Sequence, residues 1–270
     1  MNGDVVKPGF TTSPIKERRE EIQMKSYKLL TPGPLTTTDT VKQQMMFDHC
    51  TWDDDYKQIT QEIRKGLLKL AHVSEDEYTV VLMQGSGTFG VESVLTSVIG
   101  SGDELLICAN GAYGERMADI AGHAGIKHQV YNEHYNKVPN AQKIAEMLDA
   151  DPAITHVSMV HSETTSGILN DIEAVGKVVK EKGRVFIVDA MSSFGGVDIP
   201  MKDWGIDFII SSANIQWAQV WVDLLVQCAG QEAEVLSRLH GRSRQNDATH
   251  LHDVVFQRFG DQLRLAVKRQ

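Results

Sequence analysis

Val185-Phe186-Ile187-Val188-Asp189-Ala190-Met191-Ser192-Ser193 decides how this chain is read. The run Val185 to Val188 is apolar at every position and has no polar alternation, which marks a strand buried on both faces, as in parallel sheets. It ends on a carboxylate and then on small hydroxyl residues, at the C-terminal edge where open α/β sheets collect their ligands. Asp207-Phe208-Ile209-Ile210-Ser211-Ser212-Ala213-Asn214 repeats the arrangement. An acid closing such a strand needs a partner, because an unpaired buried carboxylate costs several kcal/mol. A protonated ring nitrogen would supply one.

Outward from this stretch, apolar runs predict strands at Tyr78–Met83, Glu104–Ala109, His128–Tyr131, His156–His161, Arg184–Asp189 and Asp207–Ser211. Helical spacing predicts helices at Gln58–Ala71, Gly87–Ile99, Gly114–His123, Ala141–Leu148 and Ile172–Glu181. Strands that alternate with helices imply right-handed crossovers, so the fold class is α/β, with a mostly parallel central sheet covered on both faces. Leu29-Leu30-Thr31-Pro32-Gly33-Pro34 holds two prolines and a glycine and predicts a stiff extended segment.

With 270 residues and 41% hydrophobic content, the chain can bury one large α/β core. A formal charge of -9 argues against nucleic acid or an anionic membrane as the main partner. Cys50, Cys108 and Cys228 are odd in number and far apart, which fits a reduced, cytoplasmic setting better than a disulfide framework. No apolar run is long enough to span a membrane and the start has no signal-type apolar core, so the expectation is a soluble, unexported protein. Residues 1–23 read as a loose extension.

Gln84-Gly85-Ser86-Gly87-Thr88 joins a strand to a helix. Glycines let a backbone approach a phosphate, and the helix start offers unpaired N–H groups, with Ser86 and Thr88 adding hydroxyls. The spacing is neither a Walker loop nor a full dinucleotide fingerprint, and a bare strand-to-helix turn accounts for it equally well. Asn110-Gly111-Ala112-Tyr113-Gly114 puts an aromatic at the same edge, either to stack on a flat heterocycle or as an ordinary half-buried tyrosine. His161-Ser162-Glu163-Thr164-Thr165-Ser166-Gly167 crowds hydroxyls and an acid past a buried strand, for a polar ligand or for helix capping around Asn170-Asp171. Asp53-Asp54-Asp55 is better explained as a helix N-terminal acidic run than as a cation site, and His250-Leu251-His252 lacks further zinc ligands. No metal is assigned.

Together, Leu-Leu-Thr-Pro-Gly-Pro-Leu-Thr at 29–36, Cys-Thr-Trp-Asp-Asp-Asp-Tyr at 50–56, Gln-Gly-Ser-Gly-Thr at 84–88, Asn-Gly-Ala-Tyr-Gly at 110–114, Met-Val-His-Ser-Glu-Thr-Thr at 159–165, Val-Asp-Ala-Met-Ser-Ser-Phe-Gly-Gly at 188–196 and Ile-Ser-Ser-Ala-Asn at 210–214 closely resemble the 2-aminoethylphosphonate:pyruvate transaminase family. Its members are class V, fold-type I aminotransferases dependent on pyridoxal 5'-phosphate. The resemblance implies the large domain of that fold over residues 24–214, with Ser86, Gly87 and Thr88 on the cofactor phosphate and Tyr113 on the ring. It further implies Thr164 or Thr165 at the ring hydroxyl, Asp189 at the ring nitrogen, Asn214 beside the cofactor, and Pro32 and Gly33 at the substrate pocket. Implied partners are a small amino donor and a 2-oxo acid, in a homodimer.

The family continues Asn-Lys-Cys-Ile-Gln-Gly, and that lysine is its Schiff-base residue and proton carrier. Here Asn214 is followed by Ile215-Gln216, as if Lys and Cys were deleted, so no catalytic residue is assigned. Composition also shifts: residues 1–214 hold 15 Lys and 5 Arg, residues 215–270 hold 1 Lys and 6 Arg. Entered two bases late, the codons of Trp217 to Val222 allow a Gly-Pro-Gly run like the family's. The expectation is a changed reading frame over 215–270, without the family's small C-terminal domain, and negligible turnover. An alanine/serine:glyoxylate-type aminotransferase and a catalytically dead cofactor-binding fragment are the alternatives.

Overall fold

The computed structural model describes residues 48–213 and the backbone of 251–258, together with Leu29, Gly33, Thr36 and Met46. The described helices are α1 (Asp54–Leu70), α2 (Gly87–Val98), α3 (Ala112–His123), α4 (Ala141–Ala150) and α5 (Ile172–Glu181). They alternate with strands β1 (Tyr78–Gln84), β2 (Glu104–Ala109), β3 (His128–Asn132), β4 (Ile154–Val160), β7 (Val185–Asp189) and β8 (Phe208–Ser212). A short antiparallel ribbon, β5 (Ser162–Glu163) with β6 (Ile168–Leu169), follows β4, and β9 (Leu251–Arg258) completes the set.

The main sheet runs in the order β1-β9-β8-β7-β4-β2-β3. Every pairing from β8 to β3 is parallel, while β9 runs antiparallel to both β8 and β1. Strand residues alternate between two apolar layers. Val80, Leu82, Phe186 and Val188 face α1, α4 and α5, while Val81, Met83, Val185 and Ile187 face α2 and α3. Burial on both faces is why these strands read as continuous apolar runs.

Local chemistry sets the helix starts. The Ser86 hydroxyl accepts the Phe89 N–H, Asn140 Oδ1 accepts from Gln142 and Lys143, and Asp171 Oδ1 accepts from Ala174. The acidic run falls where a helix dipole favours it, with Asp54 and Asp55 in the first turn of α1. Gly176 lets α5 close on the Trp204 turn: a Cβ there would stand 1.9 Å from the Trp204 carbonyl oxygen.

Two elements differ from the sequence expectation. The hydroxyl-rich stretch after β4 forms the β5–β6 ribbon instead of a plain loop. Beyond Asn214 no strand was expected, yet Leu251–Arg258 lies between β1 and β8, in register with β1 from Tyr78↔Arg258 to Met83↔Asp253 and shifted by one residue at Gln84↔Leu251. Two parallel strands one strand-width apart leave backbone donors and acceptors facing each other, and Val254-Val255-Phe256 is a run with strong strand preference. The remaining residues of 1–47 and 214–270, including the 1–23 extension, lie outside the described residues.

Candidate functional site

Because β1, β2, β4 and β7 run the same way, the loops after Gln84, Ala109, Val160 and Asp189 meet at one edge of the sheet. They enclose a cavity of about 340 Å³, lined among others by Gly33, Gly87, Thr88, Tyr113, Arg116, Ser162, Thr164, Asp189 and Ser192. That volume lies in the range of small-molecule sites.

Asp189 ends β7 and is 5% exposed. Its Oδ1 accepts the Met191 N–H at 3.0 Å. Burial, reinforced by the nearby Glu163 carboxylate, pushes its pKa up to about 6, and the Met191 N–H opposes the rise. A carboxyl this desolvated on a cavity wall is ready to pair with a cation. In the same cavity α2 begins at Gly87, where a Cβ would stand 2.8 Å from Met191 Sδ, so the missing side chain lets that helix start close against the segment after β7. Gly87 and Thr88, the first two residues of α2, both line the cavity, which places a helix N-terminus at its wall.

The two threonines separate. Thr164 lines the cavity and its hydroxyl is 2.6 Å from the Ser192 hydroxyl. The Thr165 hydroxyl instead donates to Glu163 Oε1 at 2.7 Å. Ser86 is turned to its capping bond with Phe89, 3.3 Å, and is not among the lining residues. Gly87, Thr88, Tyr113, Thr164, Asp189 and Gly33 thus come together, while Ser86 and Thr165 serve the frame around them. Pro32, Asn214 and Ile215 lie outside the described residues.

Sequence reasoning missed Glu163 as a site residue. Its carboxylate is fully buried and accepts N–H groups from Tyr113 (3.5 Å), Gly114 (3.3 Å) and Thr165 (3.3 Å). It therefore sits at the positive end of α3 and orients the turn that carries Tyr113. Arg116, one turn further along α3, was missed as well. The i, i+3 spacing of Tyr113 and Arg116 was the available signal.

His161 follows the cavity-lining Val160 in the chain and is buried. Its ring Nδ1 is 2.9 Å from the Ser193 hydroxyl, and its ring meets Trp204 edge-on, centroids 6.5 Å apart. Burial lowers its pKa to about 4. A folded pKa below the unfolded value of 6.5 means stability that is full above pH 6.5 and is lost as pH falls towards 4. Asp189 has the opposite sign, its cost being relieved as pH falls through about 6. The H161N variant is expected to lose about 2 kcal/mol less stability than the parent between pH 7 and pH 5, read by urea unfolding at both pH values.

A family profile for class-V aminotransferases matches residues 48–214. The 2-aminoethylphosphonate--pyruvate transaminase of Lysinibacillus sphaericus (strain C3-41) is 53% identical over 227 residues, covering 81% of this chain and 62% of that protein. The transaminase of the same name from Salmonella paratyphi B is 52% identical over 191 residues, 70% of this chain and 52% of the relative. Among solved structures, pyridoxamine-pyruvate aminotransferase from Mesorhizobium loti superposes with a TM-score of 0.64 at 28% identity, over 69% of this chain and 47% of that one. The chain spans roughly half to three fifths of the length of the curated relatives it matches.

Proposed function

The chain belongs to the class-V aminotransferase family, and we propose that it binds pyridoxal 5'-phosphate in a pocket shaped for amino transfer from 2-aminoethylphosphonate to pyruvate, with its own turnover negligible. The observation that carries this reading is Asp189. It is a buried carboxyl on the wall of a cavity that is also lined by the first two residues of a helix, Gly87 and Thr88. A flat ring with a cationic nitrogen at one end and a phosphate at the other fits that charge layout, and the residues present fit the cofactor.

In this reading Asp189 holds the proton on the ring nitrogen, Gly87 and Thr88 take the phosphate, and Tyr113 covers the ring face. Thr164, paired with Ser192, reaches the ring hydroxyl. Pro32 and Gly33 border the substrate, and Asn214 stands beside the ring. When bound, the cofactor supplies an electron sink for the charge left as a proton leaves the amino-bearing carbon. Moving that proton is the family lysine's work, and the sequence has Ile215 after Asn214. Without that group the general acid–base help, about 10²–10⁴-fold, is lost along with covalent anchoring.

The reading extends to a changed reading frame over 215–270 and to a homodimer in the cytoplasm. The family match ends at residue 214, Trp52 is 75% exposed, and Cys50 is an exposed free thiol. The test is alanine formation from 2-aminoethylphosphonate and pyruvate with saturating cofactor, beside the Lysinibacillus sphaericus relative. The rate is expected to be at least about 10²-fold below that relative. An equal rate would refute the inactive reading, and transfer from alanine to glyoxylate alone would favour the glyoxylate-type alternative.

A further inference from the structure

Arg116 is the one cationic side chain among the described residues lining the cavity, as Asp189 is the one anionic. Its position is built from three elements. On α3 it follows Tyr113 by three residues, which lays the guanidinium over the tyrosine ring, 5.2 Å from the centroid. Its Nη1 donates to Thr88 Oγ1 at 3.4 Å. Thr88 is the second residue of α2, so the guanidinium is moored beside the positive end of that helix. Two electropositive groups turned to one side of a cavity repel each other unless an anion lies between them. With Asp189 also on the cavity wall, the cavity selects a ligand that carries both a cationic and an anionic group.

We propose that Arg116 is a further cofactor-binding residue, the cation that closes on the phosphate group at the start of α2. The inference rests on the cofactor reading above. It gives Arg116 a specific division of labour: α2 offers N–H groups and a partial charge, while the guanidinium offers a full charge and a planar donor fork. The Tyr113 ring and Thr88 hydroxyl keep that fork in place while the site fills.

Binding can be read without turnover and without aldehyde chemistry on surface lysines, using pyridoxine 5'-phosphate and unphosphorylated pyridoxine in equilibrium dialysis against the full chain, R116Q and R116K. R116Q is expected to weaken the phosphorylated ligand about tenfold or more and to leave pyridoxine within about twofold. R116K should recover part of the loss, since lysine keeps the charge and loses the fork, and it preserves the comparison if R116Q folds poorly. Added salt should weaken the parent protein more than R116Q. Equal weakening of both ligands, or unchanged affinity for the phosphorylated one, would overturn the role of Arg116. Failure of the unaltered chain to bind pyridoxine 5'-phosphate would overturn the cofactor reading itself, a result distinct from either.

Discussion

D189N is expected to cut the affinity for pyridoxal 5'-phosphate by about a hundredfold or more, and at the same time to make the ligand-free protein more stable at pH 7.5. Both effects come from one carboxyl. In the loaded site a buried carboxylate faces a cationic ring nitrogen, and removing one partner of such a pair costs roughly 3–5 kcal/mol, about two to four decades of affinity. In the empty site the same group has no cation. Burial has raised its pKa to about 6, so at neutral pH it is held ionised against its surroundings. Asparagine keeps an oxygen for the Met191 N–H and drops the charge, which relieves on the order of 2–3 kcal/mol. The sign is specific to high pH: a carboxyl with a raised folded pKa costs most above that pKa, so the gain should fade towards pH 4. Titration calorimetry with the cofactor and thermal unfolding at pH 7.5 and pH 4.5 check the two halves. A variant that loses both affinity and stability would show Asp189 to be a structural residue.

The second large effect concerns the missing amine. Insertion of Lys-Cys between Asn214 and Ile215 re-creates Asn-Lys-Cys-Ile-Gln, the family's order. The insertion variant is expected to retain one equivalent of cofactor through denaturation after borohydride reduction, whereas the parent chain retains none. Turnover should rise far less than retention, because residues beyond Gln216 still depart from the family pattern. Intact-mass spectrometry of reduced and unreduced samples measures the change. An inserted lysine that leaves the mass unaltered would mean that Ser212 to Gln216 is not delivered to the cavity.

The sheet was legible because its central strands are rich in apolar residues, and the β7 run Val185 to Val188, apolar throughout with its terminal Asp189, pointed directly at the site edge. The five described helices were read to within four residues at either end, most closely α5, whose Asp171 cap and Ile172 start are adjacent in sequence. What escaped depends on contacts between distant positions. Glu163 meets Tyr113 and Gly114 across 50 and 49 residues, and no local pattern marks an acid that will cap another segment's helix. Arg116 is ordinary as a helix residue until Thr88, 28 positions away, comes beside it. The threonine pair could not be ordered from sequence because the choice is made by Ser192 and Glu163 on either side. Strand β9 was invisible for a related reason: it is defined by a slot between β1 and β8, and nothing near Leu251 in the chain describes that slot.

The account rests on cofactor held by charge and shape alone, between Asp189 and the start of α2, with no covalent tether. Dialysis of the unaltered chain against stoichiometric pyridoxal 5'-phosphate, then borohydride reduction and intact-mass spectrometry under denaturing conditions, tests it most directly. One equivalent of cofactor bound before denaturation, and an unmodified mass after it, is the predicted result. One full equivalent of cofactor fixed to a single lysine of the chain, or no binding at the first step, would contradict it.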